Sequence, residues 1–411
     1  MTTKTKTLRI AVLTDFHAFT SREGDRLGKP SWLDLNSDQS DVSRNPFAAL
    51  KKLIGEDGTI KADVVACLGD MGDKASREGQ QYVWSEVNKL REQLGAKHVI
   101  GAAGNHDVDS RFQSDDFDAK GQIQSLEPPF PVSDERKWLE YWAKNFTIVD
   151  AEGVRFLLLN SAAYHGAAKD PNKPEYLHGR VSDRTIEAIR RALQDEGARS
   201  ANVLVCHHHP FRNEKHPNSD YSEMRGGDRL INSLTDAAVG PWLVLHGHKH
   251  IGRVFYAGGN NSSPTVFSAA SFSARPYPNQ EVRSFNEFYI VELQVPESAG
   301  AQMSLRGSIR TFNFTFDNGW RRPSATEGFG PRAGFGARVD TGELAGKIAD
   351  FIRTNHKNNP VEWSDVVTTF PDVFHLVPEE LDLLFGALKD YHGMSRNLDG
   401  DTQEVSVVQI K

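Results

Sequence analysis

Short apolar runs recur along the chain, and most of them end in a polar cluster. Residues 8–13 (LRIAVL) read as a strand and end in Thr14-Asp15-Phe16-His17. Residues 62–68 form a second run, which delivers Gly69-Asp70 and then Asp73. Residues 98–103 give a third, ending in Gly104-Asn105-His106-Asp107. Further strands are expected at 154–160, 202–206 and 242–245. The last two end in His207-His208-His209-Pro210 and His246-Gly247-His248-Lys249-His250. Between them the apolar period lengthens to that of a helix. Residues 81–94 place Val83, Val87, Leu90 and Leu94 on one face, and Gly95 ends the segment. Residues 46–54, 137–146 and 228–238 read as helices, as does the stretch from Ser182, a natural cap, through Leu193. Strands alternating with helices predict an α/β fold, which gathers its ligands at the carboxyl ends of the strands.

After His250 the period changes to two. Residues 253–256, 265–270, 287–295 and 303–314 read as successive antiparallel strands. Residues 321–338 (RRPSATEGFGPRAGFGAR) lack periodicity and are rich in Gly and Pro, so a linker is expected there. Residues 341–354 and 378–391 look helical and 404–410 extended, which suggests a small mixed helical and β subdomain. The expected organisation is therefore a main domain over 1–320, the linker, and a small C-terminal domain over 339–411. Residues 108–135 and 161–181 read as long loops, a length that usually signals function or disorder.

Charge sharpens the picture of the C-terminal part. The chain of 411 residues carries a net charge of -7. Residues 339–411 hold 6 Lys and Arg against 13 Asp and Glu, so the whole imbalance resides there. That acidity argues against nucleic-acid binding and marks 339–411 as a surface for an oligomer contact or a protein partner. The only two cysteines, Cys67 and Cys206, sit inside apolar runs and read as reduced core residues. No segment has the length of uninterrupted apolar residues that a membrane span requires, and the N-terminus lacks an apolar signal region, so the cytoplasm is the expected compartment.

The strand-end clusters combine imidazole, carboxylate and one amide oxygen, with no thiolate. Such donors suit divalent ions of the Mn, Fe, Zn, Co or Ni type. On an extended segment, Asp15-x-His17 and His248-x-His250 would each turn both side chains to one face. Glycines before Asp70, Asn105 and His248 would let the backbone turn tightly beside an ion.

Taken in order, the blocks D-x-H, G-D-x-x-D, G-N-H-D, a later His and G-H-x-H resemble the signature of the calcineurin-like metallophosphoesterase superfamily over about residues 8–315. The resemblance implies a four-layer α-β-β-α sandwich with two mixed β-sheets. It also implies two divalent metal ions. Asp15, His17 and His250 would hold one, Asn105, His208 and His248 the other, and Asp70 would bridge them. The His-x-Pro pattern selects His208; His207 would then point to the other face of its strand, and His209 would line the pocket or face solvent. By the same resemblance, a hydroxide bridging the metals would attack phosphorus in a small-molecule phosphoester. His106 would assist the leaving group, Asp107 would orient His106, and Asp73 would support the site from behind. Arg180, Arg212 and Arg225 are candidates for a phosphate oxygen, because guanidinium forks fit phosphate. The protein phosphatase branch carries Arg-Gly after G-D-x-x-D and closes its third block with Glu. Here Lys74-Ala75 and Asp107 stand instead, which argues against a protein phosphatase, and G-N-H-D, His-His-Pro and G-H-x-H together resemble the branch of cyclic-nucleotide and glycerophosphodiester phosphodiesterases more closely. The alternatives are a nuclease or phosphomonoesterase of the same superfamily, or a non-catalytic regulatory module that binds a partner through the acidic tail.

Overall fold

In the computed structural model, the described residues are 5–21, 28–112, 114–166, 178–211, 222–258, 263–275, 285–297, 305–357 and 359–410. The elements run in the order β1 (Thr5–Leu13), α1 (Pro46–Glu56), β2 (Val64–Cys67), α2 (Arg77–Leu94), β3 (His98–Gly101), α3 (Gly121–Gln124), α4 (Glu135–Lys144), β4 (Phe146–Ala151), β5 (Val154–Leu159), α5 (Asp183–Glu196), β6 (Asn202–Val205), α6 (Gly227–Asp236), β7 (Trp242–His246), β8 (Arg253–Tyr256), β9 (Thr265–Ser268), β10 (Asn286–Pro296), β11 (Arg306–Thr315), β12 (Gly319–Arg321) and β13 (Arg332–Phe335). The C-terminal part adds α7 (Thr341–Asn355), β14 (Val361–Glu362), α8 (Trp363–Thr369), α9 (Pro378–His392), β15 (Met394–Leu398) and β16 (Val405–Ile410).

The first sheet has seven strands, ordered β12-β11-β10-β1-β2-β3 with β13 on β11; the second has six, ordered β4-β5-β6-β7-β9-β8. Alternation along each strand explains why they stack. Ile10 and Val12 of β1 and Val64 and Ala66 of β2 point inward, against Phe156, Val203, Leu243 and Phe267 of the second sheet. Ala11, Leu13, Val65 and Cys67 point outward, beneath Phe47 and Leu50 of α1 and Val83, Val87 and Leu90 of α2. On the far side, Leu157, Leu204 and Val244 pack under Ile189 and Leu193 of α5 and Leu230 and Ile231 of α6. Strands buried on both faces must be apolar throughout, which is why they read as continuous runs. The result is the expected four-layer sandwich.

The C-terminal part has its own core, built from Leu344, Ile348, Ile352, Val366, Leu384, Leu388, Met394 and Val408. Its three-stranded sheet, β14-β16-β15, lies beside α7, α8 and α9. The stretch read as a linker is tied to the main sheet. Its strand β13 pairs antiparallel with β11 from Gly307↔Phe335 to Arg310↔Arg332. Four residues are too few to show a period among the surrounding glycines, so the edge strand is invisible in the sequence.

Candidate metal centre

Strands β1, β2 and β3 are mutually parallel, as are β5, β6 and β7, so their carboxyl ends collect on one edge of the sandwich. The turns after β1 and β2 are stapled together. Asp15 N–H donates to Gly69 O at 3.0 Å, and Phe16 and His17 N–H both donate to Asp70 O at 2.8 and 3.0 Å. The side chains do not reach the site by strand alternation, as the Asp-x-His spacing suggested. Strands β1 and β7 have already ended, and Asp15, His17, Asp70, His248 and His250 adopt φ of 55°, 49°, 54°, 77° and 57°. Non-glycine residues in this left-handed region carry strain, and such strain collects at functional sites. Two glycines are dictated by space alone. A Cβ on Gly104 would stand 2.2 Å from Asp70 Oδ1, and one on Gly247 would stand 2.1 Å from Thr14 Oγ1.

Four overlapping groups of donor atoms result: Asp15, His17 and His250; His17, Asp70 and His106; Asp15, Asp70 and His207; and His207, His208 and His248. Within each, the donor atoms lie within 4.8 Å of one another. His250 Nε2 is 3.2 Å from Asp15 Oδ1, and His17 Nε2 is 3.7 Å from Asp70 Oδ2. His17 and His250 face each other Nε2 to Nε2 at 3.3 Å. On the other side, Asn105 Oδ1 is 3.0 Å from His248 Nδ1. Asp70 belongs to two of the four groups, one with His17 and His106 and one with Asp15 and His207.

His207 is the residue that sequence reasoning misplaced. Instead of facing away, its Nε2 lies 3.3 Å from Asp70 Oδ2, and its Nδ1 is 2.7 Å from Leu68 O. Strand β6 ends at Val205, so alternation no longer governs residues 207–209 and consecutive imidazoles can enter one site. The run of three histidines was the available signal. His208 also faces the cluster, with Nδ1 2.8 Å from Ser161 Oγ. In both rings an anchored Nδ1 leaves Nε2 directed at the site, the arrangement that orients metal-binding imidazoles.

These residues fit divalent ions. Asp15 Oδ1, His207 Nε2 and His208 Nε2 are buried and make no hydrogen bond of good geometry. Burial and the neighbouring imidazoles, His106 foremost, pull His17 down to about 4. Burial, with His207 next, holds His208 well below the ordinary range, and burial with His208 and His207 does the same for His248. Neutral imidazole is the form that ligates. Burial would raise Asp70, yet His207 and His106 keep it well below the usual carboxylate range. Burial likewise opposes protonation of His207, but Asp70 lifts it to about 9. That paired proton is what a bound cation would replace.

His106 stands at the rim, its ring centroid 4.6 Å from that of His17. Burial lowers its basicity, but Asp70 and Asp73 outweigh this and raise it. The carboxylate at its Nδ1 is Asp73 Oδ1, at 3.1 Å, with Lys74 N–H also 3.1 Å away. Asp107, expected to orient His106, is engaged elsewhere. Its carboxylate accepts the N–H groups of Asp70, Met71 and Gly104 at 2.7, 2.8 and 2.9 Å. Adjacent residues in a tight turn send their side chains apart, so Asp107 braces the backbone under Asp70 and Asp73 takes the place beside the imidazole.

The remaining candidates divide. His209 is buried, its ring stacked on His248 with centroids 5.7 Å apart. Arg180 and Arg225 meet as main-chain partners: Arg180 N–H donates to Ser161 O and Arg225 N–H to Gly179 O. A Cβ on Gly179 would stand 2.5 Å from the His208 side chain, so this segment packs directly behind that ring. Arg212 lies outside the described residues. Among the described residues, no helix is long and apolar enough to cross a membrane.

Solved structures similar to the chain include a dimetal phosphatase from Danio rerio, at 12% identity and a TM-score of 0.43, covering 75% of this chain and 99% of that one. The structure of PhoD is similar at 10% identity and a TM-score of 0.42, covering 77% and 71%. A Thermus thermophilus protein, TT1561, is similar at 12% identity and a TM-score of 0.34, covering 69% and 94%. No curated protein sequence matches the chain. A family model described as wHTH-Calcineurin_assc matches residues 333–390, so the C-terminal part is winged-helix-like. A model described as calcineurin-like phosphoesterase matches residues 8–252, more than half of the chain, and the protein belongs to that family.

Proposed function

We propose that the protein hydrolyses a small phosphodiester with the help of two divalent ions. The observation that carries this reading is Asp70, which gathers His17 and His106 in one donor group and Asp15 and His207 in another. Asp15, His17 and His250 would hold one ion, and Asn105, His248 and the His207–His208 pair the other. Bound there, such ions supply Lewis-acid charge for phosphoryl oxygens and lower the pKa of water. The chain's own residues do the rest. Asp70 keeps a fixed negative charge between the two halves. His106, its basicity raised by Asp70 and Asp73, holds a proton at Nε2 for the departing oxygen. Asp107 keeps the Asp70 and Gly104 turns in register. Arg180 and Arg225 are candidates for a substrate phosphate oxygen.

The preference for a diester rests on G-N-H-D, His-His-Pro and G-H-x-H occurring together, while Lys74-Ala75 after Asp73 and Asp107 closing the third block count against a protein phosphatase. A screen of ion-loaded protein tests it. Bis(p-nitrophenyl) phosphate should turn over faster than p-nitrophenyl phosphate, and His106→Ala should lower kcat by about 10²–10⁴. A faster monoester reaction refutes the diester reading, and an unchanged His106→Ala refutes the proton role.

A further inference from the structure

The chain leaves His250 through Ile251 and Gly252 into β8, and Gly252 presses on a buried carboxyl that the proposed chemistry does not use. A Cβ on Gly252 would stand 2.7 Å from both Glu287 Oε2 and Tyr289 Oη, and 3.0 Å from Phe329 Cβ. Glu287 is only 1% exposed. Its Oε1 accepts Phe329 N–H at 2.8 Å, and its Oε2 accepts the Tyr289 hydroxyl. The Tyr289 oxygen in turn accepts Ala270 N–H at 3.0 Å. The main chain of Glu287 donates to Ser271 O at 2.9 Å, and the Ser271 hydroxyl donates to Asp15 O at 2.6 Å. The carboxyl therefore touches the exit of the His250 loop and the stretch leading to the winged-helix-like part, while the main chain of the same residue holds Ser271 beneath Asp15.

That stretch is moulded around Glu287. Gly328 has φ of 58°, and a Cβ there would lie 2.0 Å from Glu287 Oε1. The Phe329 ring packs on Phe267 and Tyr289, with centroids 5.5 and 5.7 Å apart. The winged-helix-like part grips the same region. Ala325 N–H donates to Thr402 O at 2.8 Å, and Arg322 pairs with Glu404 at 3.0 Å, both in the β15–β16 hairpin. Glu379, in the first turn of α9, pairs at 2.8 Å with Arg253, the first residue of β8. Gly336 N–H donates to Tyr256 Oη at 2.9 Å at the other end of β8. Docking of this part and the path of the His250 loop thus meet at Glu287 and β8.

We infer that Glu287 is a positioning residue for the His248–His250 loop, through which docking of the C-terminal part and ion binding favour each other. The inference rests on the reading of His248 and His250 as ion ligands. Coupling of this kind is reciprocal. Removing Glu287 weakens ion binding, and binding ions tightens the 322–330 stretch.

Titration of the full-length protein with Co²⁺, followed by calorimetry and by the visible spectrum of the bound ion, tests it alongside amide exchange of residues 322–330. Glu287→Ala should weaken one ion by on the order of tenfold, as loss of an orienting contact behind a ligand does, and should alter its spectrum. Glu287→Gln, which can still accept from Phe329 N–H, should restore both. Gly328→Ala, which touches no ligand and keeps the carboxyl group but drives it from its place, should weaken the same ion, because its Cβ would lie 2.0 Å from Glu287 Oε1. Ion loading should slow exchange at 322–330 in the wild type and do so less in Glu287→Ala. Wild-type affinity and spectrum in both Glu287→Ala and Gly328→Ala would overturn the coupling while leaving the metal centre intact. A wild type that takes up no Co²⁺, Mn²⁺ or Zn²⁺ overturns the metal-centre reading itself, and this inference with it.

Discussion

Replacement of Asp107 separates two roles for a residue that the sequence paired with His106. Its Oδ2 accepts from Asp70 and Gly104 and its Oδ1 from Met71, all in the buried floor of the site. Asp107→Ala strands three buried N–H groups, each costing about 1–3 kcal/mol. The sum would be about 3–9 kcal/mol if nothing entered the space. Two effects reduce it. Water can refill part of the void, and burial together with Asp70 has already pushed the Asp107 carboxyl up to about 7, so removing it relieves repulsion near neutral pH. The expected net loss is about 2–4 kcal/mol, measured by urea unfolding of the ion-free protein at pH 7.5. Asp107→Asn keeps a carbonyl for Asp70 and Gly104, turns its amide nitrogen to Met71 N–H at a cost of about 1–3 kcal/mol and loses the repelled charge, so it should be clearly less destabilised than the alanine variant. If Asp107 acted instead by orienting His106, both variants would cut turnover alike and leave stability unchanged. An alanine variant within about 0.5 kcal/mol of wild type, or an asparagine variant as unstable as alanine, refutes the bracing role.

Other outcomes follow from the same geometry. Asp70→Asn should lower the measured ion content at both positions, whereas His17→Ala should deplete mainly one. His207→Ala should reduce ion content as much as His208→Ala does; full ion content in His207→Ala returns that residue to a structural role. Adding Mn²⁺ to chelated protein at about 100 times its Kd should stabilise it by about 2.7 kcal/mol for each ion bound, seen as a rise in Tm, and no rise means no ion binds the folded state. Glu287 is pushed by burial from 4.5 up to about 7, so the folded state holds its proton more tightly than the unfolded chain. Its contribution is complete below about pH 4.5 and declines as pH rises through about 7, by roughly 3 kcal/mol. Glu287→Gln should flatten that part of the stability–pH curve, and an unchanged slope contradicts the buried state of the carboxyl.

The sequence by itself showed strands alternating with helices, and its ordered signature blocks, through the family they resemble, implied the sandwich and most of the candidate donors. Strands buried on both faces must be apolar throughout, so β1, β2, β6 and β7 announced themselves, and the polar clusters at their ends named Asp15, His17, Asp70, Asn105, His106, His248 and His250. Short edge strands did not. β4 follows α4 after a single residue, and β13 is four residues among glycines, too brief for a period to emerge. Tertiary structure alone decided which neighbours meet inside the turns. Strand alternation places side chains only while the strand lasts. Beyond Val205 and Gly101 the backbone leaves the strand, and left-handed φ values at Asp15, His17, Asp70, His248 and His250 aim the donors inward. That is why His207 joins the cluster, why Asp73 rather than Asp107 sits beside His106, and why Glu287, distant in sequence from every ligand, lies against the path of the His250 loop. A local pattern reports which faces must be buried. Convergence of loops is set by the packing of both sheets at once, and no single segment carries it.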